Sequence, residues 1–264
     1  MGKSKSLVPA TPPNPDDGAE LQSHNVGHFG FSAMPLDNLG ASEYTLVGIA
    51  VDTSGSISGF DKAMEEAIKN VIEACRKSPR ADNLLMRVIK FDNNIHEIHG
   101  FKLLNDINKN DYDGTIAPGG STALFDGAIS AIESVTNYGK QLLDGGYAVN
   151  GLVVIITDGC ENASTQQGPN GSTDPHFVKK AIQAAVKGEK LESLNTILIG
   201  VNVTDSYVKT GLDKFKNDAG ITQYVNLTDA SDKTLAKLAQ FVAASISSTS
   251  QALGTGAPSK SLTI

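Results

Sequence analysis

The sequence predicts a three-layer, doubly wound α/β domain whose mainly parallel, six-stranded sheet carries one antiparallel edge strand. Three observations carry the prediction. Continuous apolar runs at 46–51 and 152–156 suit strands covered on both faces, as in a parallel sheet, and lack the alternation of a half-exposed strand. Segments with helical spacing of apolar residues fall between such runs. One strand pair is joined by Asp92-Asn93-Asn94 alone, too short for a crossover, so it must be a hairpin that sets an antiparallel strand at the edge.

The elements follow in order. Residues 1–43 contain Thr11-Pro12-Pro13-Asn14-Pro15-Asp16-Asp17-Gly18 and little periodicity, and read as a flexible arm whose part 26–39 can pack on the domain. The first strand, 46–51, leads to a helix marked by Phe60, Met64, Ala67, Ile68, Val71, Ile72 and Cys75. Strands at 84–91 and 95–101 make the hairpin, and 122–135 is helical with Leu124, Ala128, Ile132 and Val135 on one side. The strongest strand is 152–157. Asp174-Pro175 opens the next helix as an N-cap followed by proline at the first helical position. A strand at 195–201, a short helix at 205–216 and a last strand at 221–227 precede a closing helix that starts at Ser231 and turns Leu235, Leu238, Phe241, Val242 and Ile246 inward. One domain therefore spans 44–248, and 249–264 reads as a flexible tail.

Composition narrows the function classes. With 264 residues, 40% apolar and 19% charged, the chain has an ordinary globular composition. A net charge of −7 with no block of Lys and Arg argues against nucleic acid as a partner. Two distant cysteines, Cys75 and Cys160, imply no disulfide framework and suit a reducing compartment. No segment has the apolar length of a signal peptide or of a membrane span, so the expected location is cytoplasmic. Met1-Gly2 with Ser6 fits a myristoylation pattern, but so short a pattern arises by chance and the start reads as a plain arm.

The chemistry gathers where the first strand ends. Asp52-Thr53-Ser54-Gly55-Ser56 places one carboxylate and two hydroxyls at alternate positions in a loop at the carboxyl edge, where open α/β sheets bind ligands. Oxygen donors without His or Cys suit a hard cation such as Mg²⁺, Mn²⁺ or Ca²⁺. Asp158-Gly159 ends the 152–157 strand at the same edge, and Gly119-Gly120-Ser121-Thr122-Ala123 opens a helix with Thr122 at its entrance. Asp52, Ser54, Ser56, Thr122 and Asp158 thus converge from three loops around one cation, Mg²⁺ first. Two carboxylates leave such a cation electrophilic, and a carboxylate from a partner can complete it.

These three segments resemble the three parts of the metal ion-dependent adhesion site of von Willebrand factor A domains, in family order and on the expected elements. The resemblance covers about residues 44–248. It implies a sheet of five parallel strands plus one antiparallel edge strand, with Ser54 and Ser56 binding the metal directly. It implies that Thr122 and Asp158 bind directly or through water according to whether a partner is docked, and that Asp52 acts directly or through water and fixes the hydroxyls. Without a signal peptide, the chain is more similar to intracellular bacterial members than to integrin or extracellular matrix members.

Other readings compete at single positions. Each loop could be a plain polar turn, and Thr122 a simple helix cap. His96-Glu97-Ile98-His99 suggests zinc, but side chains three apart on a strand face opposite ways, so a solvated hairpin is expected. Asp126, one turn after Thr122, is either a supporting residue or a surface one, and Cys160 reads as a small buried side chain. A P-loop and a nucleophile elbow both fail on residues. The expected function is a non-enzymatic module that uses the metal to capture an Asp or Glu of a protein partner. Its rim loop, 161–173, would select the partner. Two alternatives stand beside it: a subunit of a larger assembly, linked to an AAA+ ATPase or a stress response, and a metal-dependent phosphohydrolase with Asp52 as nucleophile.

Overall fold

The computed structural model describes residues 20–25, 27–165, 174–187, 190–255 and 262–263. Six strands form the body of the sheet: β3 (Glu43–Asp52), β4 (Leu84–Phe91), β5 (Ile95–Leu103), β6 (Ala148–Thr157), β7 (Leu194–Gly200) and β8 (Gln223–Asn226). Two short strands, β1 (Gln22–His24) and β2 (Phe31–Ala33), extend it to the order β1-β2-β5-β4-β3-β6-β7-β8. The strands β4, β3, β6, β7 and β8 are mutually parallel, and β5 runs antiparallel to β4.

Five helices cover the two faces: α1 (Asp61–Arg76) and α5 (Asp232–Thr255) on one, α2 (Leu124–Asp144), α3 (His176–Lys187) and α4 (Ser206–Ala219) on the other. The central strands feed both layers. On β6, Val149, Val153 and Ile155 pack under α2, while Leu152, Val154 and Ile156 face the opposite layer, where α5 lies against the strand. This burial on both faces is why their sequences read as continuous apolar runs. The result is the three-layer, doubly wound α/β architecture, with β3 and β6 adjacent at its centre.

Four expectations need correction. The strand β5 is not the edge, because β2 pairs beside it in parallel at Ala33–Phe101 and β1 pairs antiparallel outside β2. From residue 22 onward, therefore, the segment expected as a flexible arm contributes two strands. Phe31 is buried, lies edge-on to Phe101 at 6.1 Å and stacks on His24 at 4.9 Å. Gly100 permits this approach, since a Cβ there would lie 2.1 Å from Ser32 Oγ. Residues 249–255 of the expected tail likewise belong to the domain. Here α5 continues with Thr249 and Ser250 buried, and Asn150 Nδ2 donates to Thr249 O at 2.7 Å. Beyond it, Leu262 O accepts from Gln223 Nε2 at 2.6 Å. No helix among the described residues is long and apolar enough to cross a membrane.

The fourth is His99, expected in a solvated hairpin but 5% exposed. The register shifts between Met86 and Ile89 alter the pairing of β4 with β5 there. Its Nδ1 lies 2.8 Å from Gly100 O and its Nε2 2.5 Å from Tyr112 Oη. A carbonyl only accepts, so Nδ1 carries the proton and Nε2 accepts from the Tyr112 hydroxyl. Burial, with smaller effects of Lys102 and Arg87, pushes the ring down to about 4 against the raising effects of the Gly100 bond and Glu97. The folded ring thus binds its proton more weakly than the unfolded one, whose ordinary value is near 6.5. Its stabilising effect is complete above about pH 6.5 and is lost as pH falls toward 4, by about 3 kcal/mol. Urea unfolding between pH 7 and 4.5 should show the wild type losing more stability than His99→Gln; parallel losses would refute this account.

Candidate metal centre

Asp52 closes β3 and is 2% exposed. Pairing continues past the strand end, with Thr53 N–H donating to Phe91 O at 2.8 Å and Gly119 N–H donating to Thr53 O at 2.9 Å. These bonds tie the first loop to β4 on one side and to the glycine segment on the other. Both oxygens of Asp52 are held. Its Oδ1 accepts from Ser54 N–H at 2.8 Å, and its Oδ2 accepts from Thr157 Oγ1, at the end of β6, at 2.6 Å.

From Asp52 the oxygens form a chain. Ser54 Oγ lies 3.0 Å from Ser56 Oγ, and Ser56 Oγ donates to Asp158 Oδ1 at 2.7 Å. The glycine segment closes over the first loop through Gly55 N–H to Gly120 O at 3.1 Å. Gly120 has φ +72°, and a Cβ there would lie 2.3 Å from Asn93 Oδ1, so this turn requires glycine on both counts. Thr122 is 4% exposed, and its Oγ1 stands 3.7 Å from where a Cβ on Gly159 would be, which puts it beside the Asp158 turn. The N-cap of α2 is Ala123, with no side-chain bond, so the Thr122 hydroxyl does not cap the helix.

The structure thus gathers Asp52, Ser54, Ser56, Thr122 and Asp158 at the carboxyl edge of β3 and β6. Burial pushes the Asp52 carboxyl up to about 6, against hydrogen bonds from Thr157 and Ser54 and with added repulsion from Asp158. Burial also raises Asp158, and the Ser56 bond draws it back. Among the described residues neither carboxylate has a Lys or Arg partner within ion-pair distance. Two partly desolvated carboxylates linked by hydroxyls, with no cationic side chain, fit a hard divalent ion. All five residues would hold it.

Two supporting roles escaped the sequence reading. Thr157 bridges Asp52 to β6, and Asn93 Oδ1 accepts from Ser121 N–H at 2.8 Å. Asp126 is a supporting residue: it is 1% exposed and its Oδ2 accepts from Thr165 N–H and Oγ1, each at 2.8 Å. Cys160 is half-buried against α4, with Sγ 3.6 Å from Val208 O. Residues 161–165 of the expected rim loop are described, whereas 166–173, like the Met1-Gly2 pattern, lie outside the described residues.

No protein-family model matches the chain, and no curated protein resembles it in sequence. Solved structures do share its fold. The PilB minor pilin from Streptococcus sanguinis superposes with a TM-score of 0.57 at 15% identity, covering 85% of this chain and 66% of its own. The pilus adhesin SpaC from Lactobacillus rhamnosus GG, in an open conformation, gives 0.55 at 12% identity over 78% of this chain and 30% of its own. A more distant likeness, at TM-score 0.49 and 19% identity, is to the mussel byssus proximal thread matrix protein 1 with a zinc-occupied MIDAS motif, over 78% of this chain and 46% of that one. The chain spans just under two thirds of the PilB chain and about a third of the SpaC chain.

Proposed function

We propose that this domain is a non-enzymatic, metal-dependent binding module. Asp52, Ser54, Ser56, Thr122 and Asp158 would hold a divalent cation, Mg²⁺ first, and an Asp or Glu of a protein partner would dock on it. The observation that carries this reading is the oxygen chain from Asp52 through Ser54 and Ser56 to Asp158, set between two carboxylates that no cationic side chain among the described residues neutralises. A bound cation supplies the missing positive charge and leaves a coordination position for an incoming carboxylate oxygen. The chain's own residues do the rest. Ser54 N–H and Thr157 Oγ1 orient Asp52, and Ser56, exposed at the rim, places its hydroxyl where a partner arrives. The engagement of both Asp52 oxygens suits an anchoring carboxylate better than a nucleophile. A pilus adhesin with this fold is in keeping with the reading.

The test is thermal unfolding in chelator and then in Mg²⁺, Mn²⁺, Ca²⁺ and Zn²⁺. At a hundredfold excess over Kd, a bound ion should stabilise by about 2.7 kcal/mol, or about 5–10 °C for a domain of this size. Absence of any shift with all four ions would sink the proposal.

A further inference from the structure

The loop that follows Asp158 is bonded to the segment that presents Thr122. Glu161 Oε1 accepts from Ala163 N–H at 2.8 Å and Ser164 N–H at 2.6 Å. Its Oε2 accepts from Ser164 Oγ at 2.6 Å and reaches across to Phe125 N–H, in the first turn of α2, at 2.9 Å. This carboxylate thereby meets an orphan donor of a helix whose N-cap gives no side-chain bond. Asn162 engages the Thr122 peptide at two points. Its Oδ1 accepts from Thr122 N–H at 2.7 Å, and its N–H donates to Thr122 O at 3.0 Å. Asp126 fixes the far end of the brace at Thr165. None of these groups belongs to the oxygen cluster itself.

Sewn this way, Thr122 and Asp158 cannot shift independently, because the chain leaving Asp158 turns at once into the brace. A fixed spacing between donors matters unequally for different ions. Mg²⁺ demands near-ideal octahedral geometry at about 2.1 Å, whereas Ca²⁺ accepts six to eight oxygens at longer and more variable distances. We propose that Glu161 and Asn162 are positioning residues that hold Thr122 against Asp158 and thereby set the preference of the site for a small cation. The inference rests on the metal-binding reading above.

Isothermal titration with Mg²⁺ and Ca²⁺ separately, on wild type, Glu161→Gln and Asn162→Ala, tests it. Glu161→Gln keeps the shape but turns an amide nitrogen toward two donors; it also removes a charge, which lowers the affinity of both divalent ions alike. Asn162→Ala leaves the charge unchanged and alters an exposed side chain, so its fold should survive. The expected result is a loss of Mg²⁺ affinity of about tenfold or more in each variant, with Ca²⁺ affinity in Asn162→Ala reduced at most a third as much. The affinity ratio would then move toward Ca²⁺, which a loss of global stability does not do. Parallel losses for both ions in Asn162→Ala, or unchanged affinities, would overturn the positioning role while leaving the metal site standing. A wild type that binds neither ion removes the site and this inference together.

Discussion

Replacing Asp52 by Asn should abolish divalent-ion binding, by about a hundredfold or more in affinity, while making the ion-free domain more stable. The two effects share one cause. Asp52 is 2% exposed and its carboxyl is raised from 3.8 to about 6, chiefly by burial. A folded-state value above the unfolded one means that the charged form is disfavoured on folding. In the ion-free protein, stability therefore increases as pH falls from about 6 toward 3.8, and the penalty is full at neutral pH. Asparagine has no such penalty. It can still accept from Ser54 N–H, and the Thr157 hydroxyl can turn to accept from the new amide. The gain should be about 1–3 kcal/mol at pH 7. Paired melts in chelator and in Mg²⁺ read both effects. Wild type should melt lower in chelator and rise on adding the ion, whereas Asp52→Asn should melt higher in chelator and not move. A variant that is less stable in chelator, or still responds to the ion, would refute this account of the site.

That trade separates what the sequence shows from what only the structure shows. The five oxygen-bearing residues were legible because each stands in a short pattern at a strand end or helix entrance, and apolar runs on both sides located those ends. The elements that hold them were not legible. Thr157 lies within the strand it terminates, and nothing in its neighbours marks its hydroxyl as pointing at Asp52 rather than along the sheet. Glu161 and Asn162 sit in a polar stretch where any residue suits a loop. Their roles appear only once α2 is placed against that loop.

The limits of the domain were misjudged for a related reason. The strands β1 and β2 have three residues each, too few to show alternation. The last turns of α5 carry Ser247-Ser248-Thr249-Ser250, whose small polar side chains dilute the apolar stripe. Yet Ser250 is fully buried, and Arg80 Nε donates to its Oγ at 2.9 Å. Small hydroxyl residues pack tightly when a partner meets their one polar atom, and that partner lies 170 residues away in sequence.

Arg87 carries the second large prediction, a loss of about 3–5 kcal/mol on Arg87→Met. It stands on β4, 1% exposed, with Nε 2.5 Å from Glu97 Oε2 on β5. Its other nitrogens reach Ser134 Oγ on α2 at 3.2 Å and Gly30 O, just before β2, at 3.5 Å. Glu97 in turn accepts from Ser32 N–H at 3.2 Å and from the Ser32 hydroxyl. One charge pair, fully buried at Arg87 and largely so at Glu97, thus joins the sheet, α2 and the segment that adds β1 and β2. A methionine fills much of the arginine's volume, so the loss comes from leaving Glu97 without its counter-charge rather than from a cavity. Neutralising that residue as well should therefore recover stability: the double variant Arg87→Met with Glu97→Gln should lose less than half as much as Arg87→Met alone. Hydrogen exchange should locate the damage, with amides of residues 31–33 losing protection well before those of β3 and β6. Urea unfolding of the single and double variants gives the magnitudes. Equal losses in the two would show that the stabilisation lies in the arginine's own packing and hydrogen bonds. Unchanged protection at 31–33 would show that β2 is held by Phe31 and the Gly100 contact without the ion pair.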